Sequence, residues 1–317
     1  MGRYVARRLI QAIPLLLGIT VMVFAILKAI PGGPLAAYEA NPNVTPEDMK
    51  RLEHALGLDQ PVPIQYASWL GHFLTGDWGF SHATSQPVLT MIGGRLPNTL
   101  WLMATVYVVT LLIALPIGVL TAVKQYSWFD HITTGATFAA FSMPTFWLGL
   151  LLIITFGLTL RLLPLGGMLA PGAPFTFGDL ARHLVLPVAT LSLVQIGVYV
   201  RFLRASMLET TGQDYMRTAR SKGLSEPRVI WRHALKNAAI PFITVAALDL
   251  PELFVGAVVT EQIFGWPGMG RLFIDSATRL DYPVLMGIIA ISAAFVVLAN
   301  LLADIVYGYL DPRIRYS

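Results

Sequence analysis

Apolar positions along this chain neither alternate nor recur as a narrow stripe; they gather into long runs free of charge. Thr99–Val123 holds 25 residues, Ile132–Leu160 holds 29, Leu184–Val200 holds 17 and Tyr282–Ala303 holds 22 without Asp, Glu, Lys or Arg. About 20 apolar residues in helical form cross the hydrocarbon of a bilayer. Two further segments fit the same pattern: Leu9–Ile30, with Lys28 only near its end, and Ala238–Thr260, interrupted by Asp249 and Glu252. Backbone groups in lipid must be satisfied within their own segment, and the lack of period-two alternation argues against a barrel. The pattern predicts an all-α integral membrane protein with six transmembrane helices.

Two polar segments are long. The first, Pro31–Pro97, carries six acidic residues against three basic ones. Within it Thr45 is a helix N-cap, followed by Pro46 at the first helical position and by Glu47 and Asp48 in the first turn, with Met49, Leu52 and Leu56 on one face before Gly57. A second helix over Pro63–Leu74 places Tyr66, Trp69, Leu70 and Phe73 at helical spacing, suited to the membrane interface or to packing over the bundle, with direct ligand contact the alternative. Gly76-Asp77-Trp78-Gly79 reads as a turn. The second segment, Arg201–Ala239, has eight basic and three acidic residues. Its Asp214–Gly223 stretch has helical composition ended by glycine, and a short helix can start at Ser225 and run to Asn237 before Pro241. A basic loop touching lipid headgroups needs charge alone; helix, glycine, helix instead presents a compact knob.

Composition agrees with burial in a membrane: 55% of the 317 residues are hydrophobic and 13% charged, and mean hydropathy is +0.64. Ordinary soluble domains carry about a quarter charged residues, so a soluble enzyme and a disordered chain are both excluded. With a cytoplasmic N-terminus, fourteen Lys and Arg lie inside and seven outside, which favours both termini inside. The net charge of +4 follows from this bias and does not call for a nucleic-acid partner. The first apolar run exceeds the usual signal-peptide core, so it reads as a signal anchor. With no cysteine, disulfides and thiolate metal sites are excluded.

Catalytic constellations are missing. There is no Gly-x-Ser-x-Gly, no His-Glu-x-x-His and no glycine-rich loop ending in Gly-Lys-Ser or Gly-Lys-Thr. The six histidines are dispersed and predict no metal site. Asp249 and Asp304 could serve an intramembrane aspartyl protease, but neither stands in a Gly-x-Gly-Asp context. Ionisable groups inside a span are costly and point to function: Asp249, Glu252 and Glu261 could line a translocation path or close a gate, or could be satisfied by neighbouring helices. A stand-alone secondary transporter usually carries internal repeats, and none is visible here.

The inner segment Asp214-Tyr215-Met216-Arg217-Thr218-Ala219-Arg220-Ser221-Lys222-Gly223-Leu224, with His233-Ala234-Leu235-Lys236-Asn237-Ala238-Ala239-Ile240-Pro241, resembles the cytoplasmic coupling loop of ABC importer permeases of the dipeptide/oligopeptide branch. Similar matches run along the chain: Tyr4-x-x-Arg7-Arg8, Gly57-Leu58-Asp59-Gln60-Pro61, Gln65-Tyr66, Trp69-Leu70, Gly76-Asp77, Arg95-Leu96-Pro97-Asn98-Thr99, Glu261-x-Ile263-Phe264-x-x-Pro267-Gly268-x-Gly270 and Leu310-Asp311-Pro312-Arg313. Jointly they are specific; singly each is weak.

The resemblance implies a type I ABC importer permease fold with a helical extracytoplasmic loop between the first two spans. It divides the chain into residues 1–97 (first span and outer helical loop) and 98–317 (five-helix core with coupling loop 201–239). It also implies the partners: a second permease, two cytoplasmic ATPases that bind ATP and Mg, and an extracytoplasmic solute-binding protein. This chain would bind no cofactor and sit in the bacterial inner membrane. The cargo implied is short peptides, with nickel chelates, glutathione or oligosaccharides as alternatives. The coupling residues would be Asp214, Arg217, Thr218, Ala219, Arg220, Lys222, Gly223 and Leu224. The wider importer pattern is Glu-Ala-Ala-x-x-x-Gly, and this chain has Arg217, Thr218 and Ala219 at the matching positions. A charge-reversed contact from Arg217 or Arg220 to an acidic ATPase residue is therefore the expectation.

Overall fold

The computed structural model describes residues 2–30, 33–35 and 44–310, and two units emerge from its packing. The first unit comprises residues 1–98 and 267–298. It begins with α1 (Gly2–Lys28), the first apolar run extended toward the N-terminus. In α2 (Pro46–Ala55), Thr45 caps as expected: its hydroxyl accepts from the Asp48 amide at 3.2 Å and donates to the Asp48 carboxylate at 2.6 Å. That bond is the chief reason the Asp48 carboxyl is held below the usual carboxylate range. α3 (Val62–Thr75) stands against α1. Thr20 meets the Tyr66 hydroxyl at 2.9 Å, Lys28 donates to Gln65 at 2.9 Å, and a file of rings runs from Phe24 through Tyr66, Trp69 and Phe73 to Trp78. The aromatic face therefore packs on the protein's own first span. Positive φ at Gly76 and Gly79 makes the turn that follows.

From that turn, the Ser81 hydroxyl and the amides of His82 and Ala83 all donate to the Asp281 carboxylate. Asp281 stands just before α12 (Tyr282–Leu310). α11 (Met269–Thr278) completes the unit, together with the first residues of α4 (Val88–Val123).

The second unit comprises residues 99–266 and 299–317. Here two expectations fail. The run Ile132–Leu160 is not one helix: α5 (Trp128–Ser142) and α6 (Thr145–Leu152), which continues as π-turns over Ile153–Thr159, meet at a bend of 106°. Pro144 is the cause: its ring disfavours a helical residue before it and removes an N–H from the ladder, and here Met143 is extended at φ −89°, ψ 129°. The run Ala238–Thr260 is likewise divided between α9 (Leu235–Leu248) and α10 (Leu250–Ile263), with Pro251 in the first turn of α10, where its missing N–H costs nothing.

Arg201–Ala239 is not a loop throughout. The single helix α7 (Phe177–Thr211) carries the run Leu184–Val200 and continues ten residues past Arg201. α8 (Asp214–Ser221) follows; then a helical stretch from Glu226 passes through π-turns at Val229–Ala234 straight into α9 instead of stopping at Asn237. Among the described residues four helices are long and apolar enough to cross a membrane: Ala6–Lys28, Val88–Val123, Phe177–Thr211 and Tyr282–Ile305; the bent pair α5–α6 makes a fifth if it is one span. Most of the closing Leu310-Asp311-Pro312-Arg313 motif lies outside the described residues.

Candidate functional site

The knob read from the sequence is a defined object. One face of α8 is apolar and anchored: Met216 is fully buried and Ala219 nearly so, in a cluster with Tyr199, Leu203 and Met207 of α7 and with Val229 and Ala234 beyond the turn. The opposite face is open. Asp214, Arg217, Thr218, Arg220, Lys222 and Gly223 are exposed, and Leu224 is half-buried against the cluster. α8 ends because Gly223 adopts φ +76°, a left-handed conformation that favours glycine, with its amide bonded to Arg220 O at 2.9 Å. Across this turn Arg220 Nε donates to Glu226 Oε1 at 2.7 Å, so Arg220 is engaged within the knob. Arg217 lies 3.8 Å from Asp214, both almost fully exposed. Of the expected coupling residues, Ala219 faces inward and fixes α8, Leu224 packs partly against the cluster, and the others are exposed.

Asp249 and Glu261, two of the three acidic residues of the expected path, do not cluster. Asp249 sits at the break between α9 and α10, partly buried. Glu261 lies near the far end of α10, so the two are about 18 Å apart along the helix. Glu252 falls within residues 252–256, whose side chains lie outside those described. Glu261 is fully buried and accepts a 2.6 Å hydrogen bond from Thr99 Oγ1. Its carbonyl accepts from the Trp266 amide, and in the turn between them Phe264 O accepts from the Gly167 amide at 2.7 Å.

An ion pair that the hydropathy pattern did not reveal secures the end of α7 near the knob. Arg204 grips Asp130 of α5 through Nε and Nη2 at 2.9 and 2.7 Å, and Asp130 also accepts from the Tyr126 amide. The one available signal was a single acidic residue, three positions after the N-cap Ser127, just ahead of an uncharged run.

Long apolar helices, with a compact knob anchored at the end of α7, define the class of helical membrane proteins. The chain belongs to the family of binding-protein-dependent transport system inner membrane components, whose model matches residues 114–316; the model for the N-terminal part of such membrane components matches residues 1–103. It is 43% identical to the oligopeptide transport system permease protein AppB of Bacillus subtilis (strain 168), with both chains covered in full. It is 38% identical to the dipeptide transport system permease protein DppB of Escherichia coli (strain K12), again over the full length of both. Among solved structures, the inward-facing MetNI methionine ABC transporter shares the fold at TM-score 0.59 and 15% identity, covering 72% of this chain and all of that one. An amino acid ABC transporter crystallised with histidines matches at TM-score 0.53 and 15% identity, over 69% and 94% of the two chains. The fold is thus that of ABC importer permeases, whose ATP is used by partner subunits.

Proposed function

We propose that this chain is a channel-forming permease subunit of an ATP-driven, binding-protein-dependent importer of short peptides. The observation that carries the proposal is full-length identity of 38–43% to permeases named for oligopeptide and dipeptide transport. In this reading the chain pairs with a second, different permease, two ATPases that hold ATP and Mg, and an extracytoplasmic binding protein, in a bacterial inner membrane.

Six spans, both termini cytoplasmic, and a division at residues 97 and 98 belong to the same proposal. The two family matches, which part between residues 103 and 114, support that division. For six spans α9 and α10 together make one crossing, since the apolar parts of each, Ala238–Leu248 and Leu250–Thr260, are too short alone. The exposed face of α8, with Arg217, Thr218, Lys222 and Gly223, docks on an ATPase; Asp249, Glu252 and Glu261 serve the path or its gate. Glu261 suits a gate because it is buried and tied to α4 through Thr99.

Affinity purification in mild detergent, followed by reconstitution, tests this. The expected result is recovery of a second permease and two P-loop ATPases, with ATP-dependent uptake of labelled di- and tripeptides once the binding protein is added. Uptake by the chain alone, driven by an ion gradient without ATP, overturns it.

A further inference from the structure

Two arginines stand one turn apart on α7, and they are treated differently. Arg204 is neutralised by Asp130. Arg201 has no carboxylate beside it among the described residues. Its Nε donates to Gly197 O at 3.2 Å, and its guanidinium carbon lies 5.1 Å from the ring centroids of both Phe138 and Phe141. Both distances are within cation–π range. The rings flank the charge, while the donors on Nη1 and Nη2 make no hydrogen bond to a described residue. Phe138 and Phe141 are themselves 52% and 53% exposed, so the clamp is open on a side that this chain does not cover.

Depth decides what this open guanidinium meets. α5 and α7 run antiparallel, with Asp130 opposite Arg204 and Thr137 so close to Gly197 that an added Cβ there would lie 3.0 Å from Thr137 O. Phe138 is eight residues further along α5 than Asp130, about 12 Å deeper into the helix pair. An arginine that reads lipid phosphate turns toward the headgroups; Arg201 turns away from the charged end of its helix and into the aromatic pair. A guanidinium left to hydrocarbon is costly, so the open side of the clamp faces polar surroundings in the assembled importer. A planar fork flanked by rings and open at its donors suits bidentate contact with a carboxylate.

We propose that Arg201, held between Phe138 and Phe141, is a specificity-determining residue of the translocation path that takes the C-terminal carboxylate of the peptide in transit. This rests on the peptide reading above.

The test uses proteoliposomes holding the complete importer, fed by saturated binding protein with trialanine or trialanine amide. Arg201→Gln is expected to lower trialanine uptake roughly tenfold, to leave the amide at the wild-type rate, and to copurify with its partners as before; Arg201→Lys, which keeps the charge without the fork, falls between. Wild-type trialanine uptake by Arg201→Gln overturns the proposal. So does equal loss for both peptides, which marks a structural clamp or a contact to the partner permease. A dependence on phosphatidylglycerol that wild type shows and Arg201→Gln lacks assigns the site to lipid phosphate instead. If wild type carries neither peptide, the peptide reading fails by itself. Phenylglyoxal modification of Arg201, read by mass spectrometry, then decides: slowing by trialanine but not its amide supports the carboxylate site, and equal rates overturn it.

Discussion

Replacing Gly223 tests whether the knob transmits force through a single backbone conformation. At φ +76° an L-residue meets its own carbonyl, at a cost of about 1–2 kcal/mol, and a β-branched residue fares worse. Nothing lies within 4 Å of a Cβ built there, so the cost is conformational and not a clash. A strain of that size lowers the ratio of native to non-native turn roughly 5- to 30-fold. If only that turn docks, apparent affinity for the docking partner falls by up to the same factor. The Arg220–Glu226 bridge, which spans the turn, is lost with it. The assay is a pair of rates in proteoliposomes holding the whole importer: ATP hydrolysis stimulated by loaded binding protein, and uptake. Gly223→Asn, tolerant of left-handed backbone, should retain most uptake; Gly223→Ala should lose several-fold; Gly223→Val should hydrolyse ATP with little uptake. Normal uptake by Gly223→Val refutes the reasoning, and so does damage by Asn equal to that by Val.

Three other outcomes are expected. Asp130→Asn should cost about 3 kcal/mol, the low end for a broken buried pair because Arg204 is about a quarter exposed; a double-mutant cycle with Arg204→Met, followed by thermal unfolding in detergent, should show strong coupling, and additive losses would count against it. Gly166→Ala places a Cβ 2.4 Å from Phe264 O and should lower stability by about 1–3 kcal/mol, with an unchanged Tm the contrary result. Burial holds the His82 imidazole below its ordinary value of 6.5, against the weaker pull of Asp281. The unfolded chain then takes up the proton first, so the stability His82 contributes is present above 6.5 and is lost as pH falls toward its depressed folded value. Hydrogen exchange around residues 80–84 should accelerate on acidification, and His82→Gln should flatten that dependence.

Much of this was legible from local chemistry. Thr45 with Asp48, the aromatic face of α3 and the glycine after α8 are signals carried within a few residues, and the structure keeps each. Uncharged runs marked the apolar segments but not their continuity. Met143-Pro144 breaks a run that composition alone makes seamless, and α7 extends far beyond its uncharged part because helix propensity and capping do not depend on hydropathy. The pairings Asp130–Arg204, Thr99–Glu261 and Ser81–Asp281 join residues 74, 162 and 200 positions apart, which no local pattern encodes. Met216 was passed over because, within α8, an anchoring methionine looks like any apolar residue until its neighbours are known.

One consequence of α7 concerns scale. Thirty-five residues make a rod about 52 Å long, against roughly 30 Å of hydrocarbon. The excess of about 20 Å is shared between the two ends of α7, since Asp179 and Arg182 precede the uncharged run, and α8 is anchored on the far end by Met216. A tilt of about 10° swings a tip about 10 Å out by about 2 Å, enough to break a hydrogen bond. On the proposed docking of α8, the helix is therefore a pointer as well as a span: small angular changes within the bilayer become displacements of its tip.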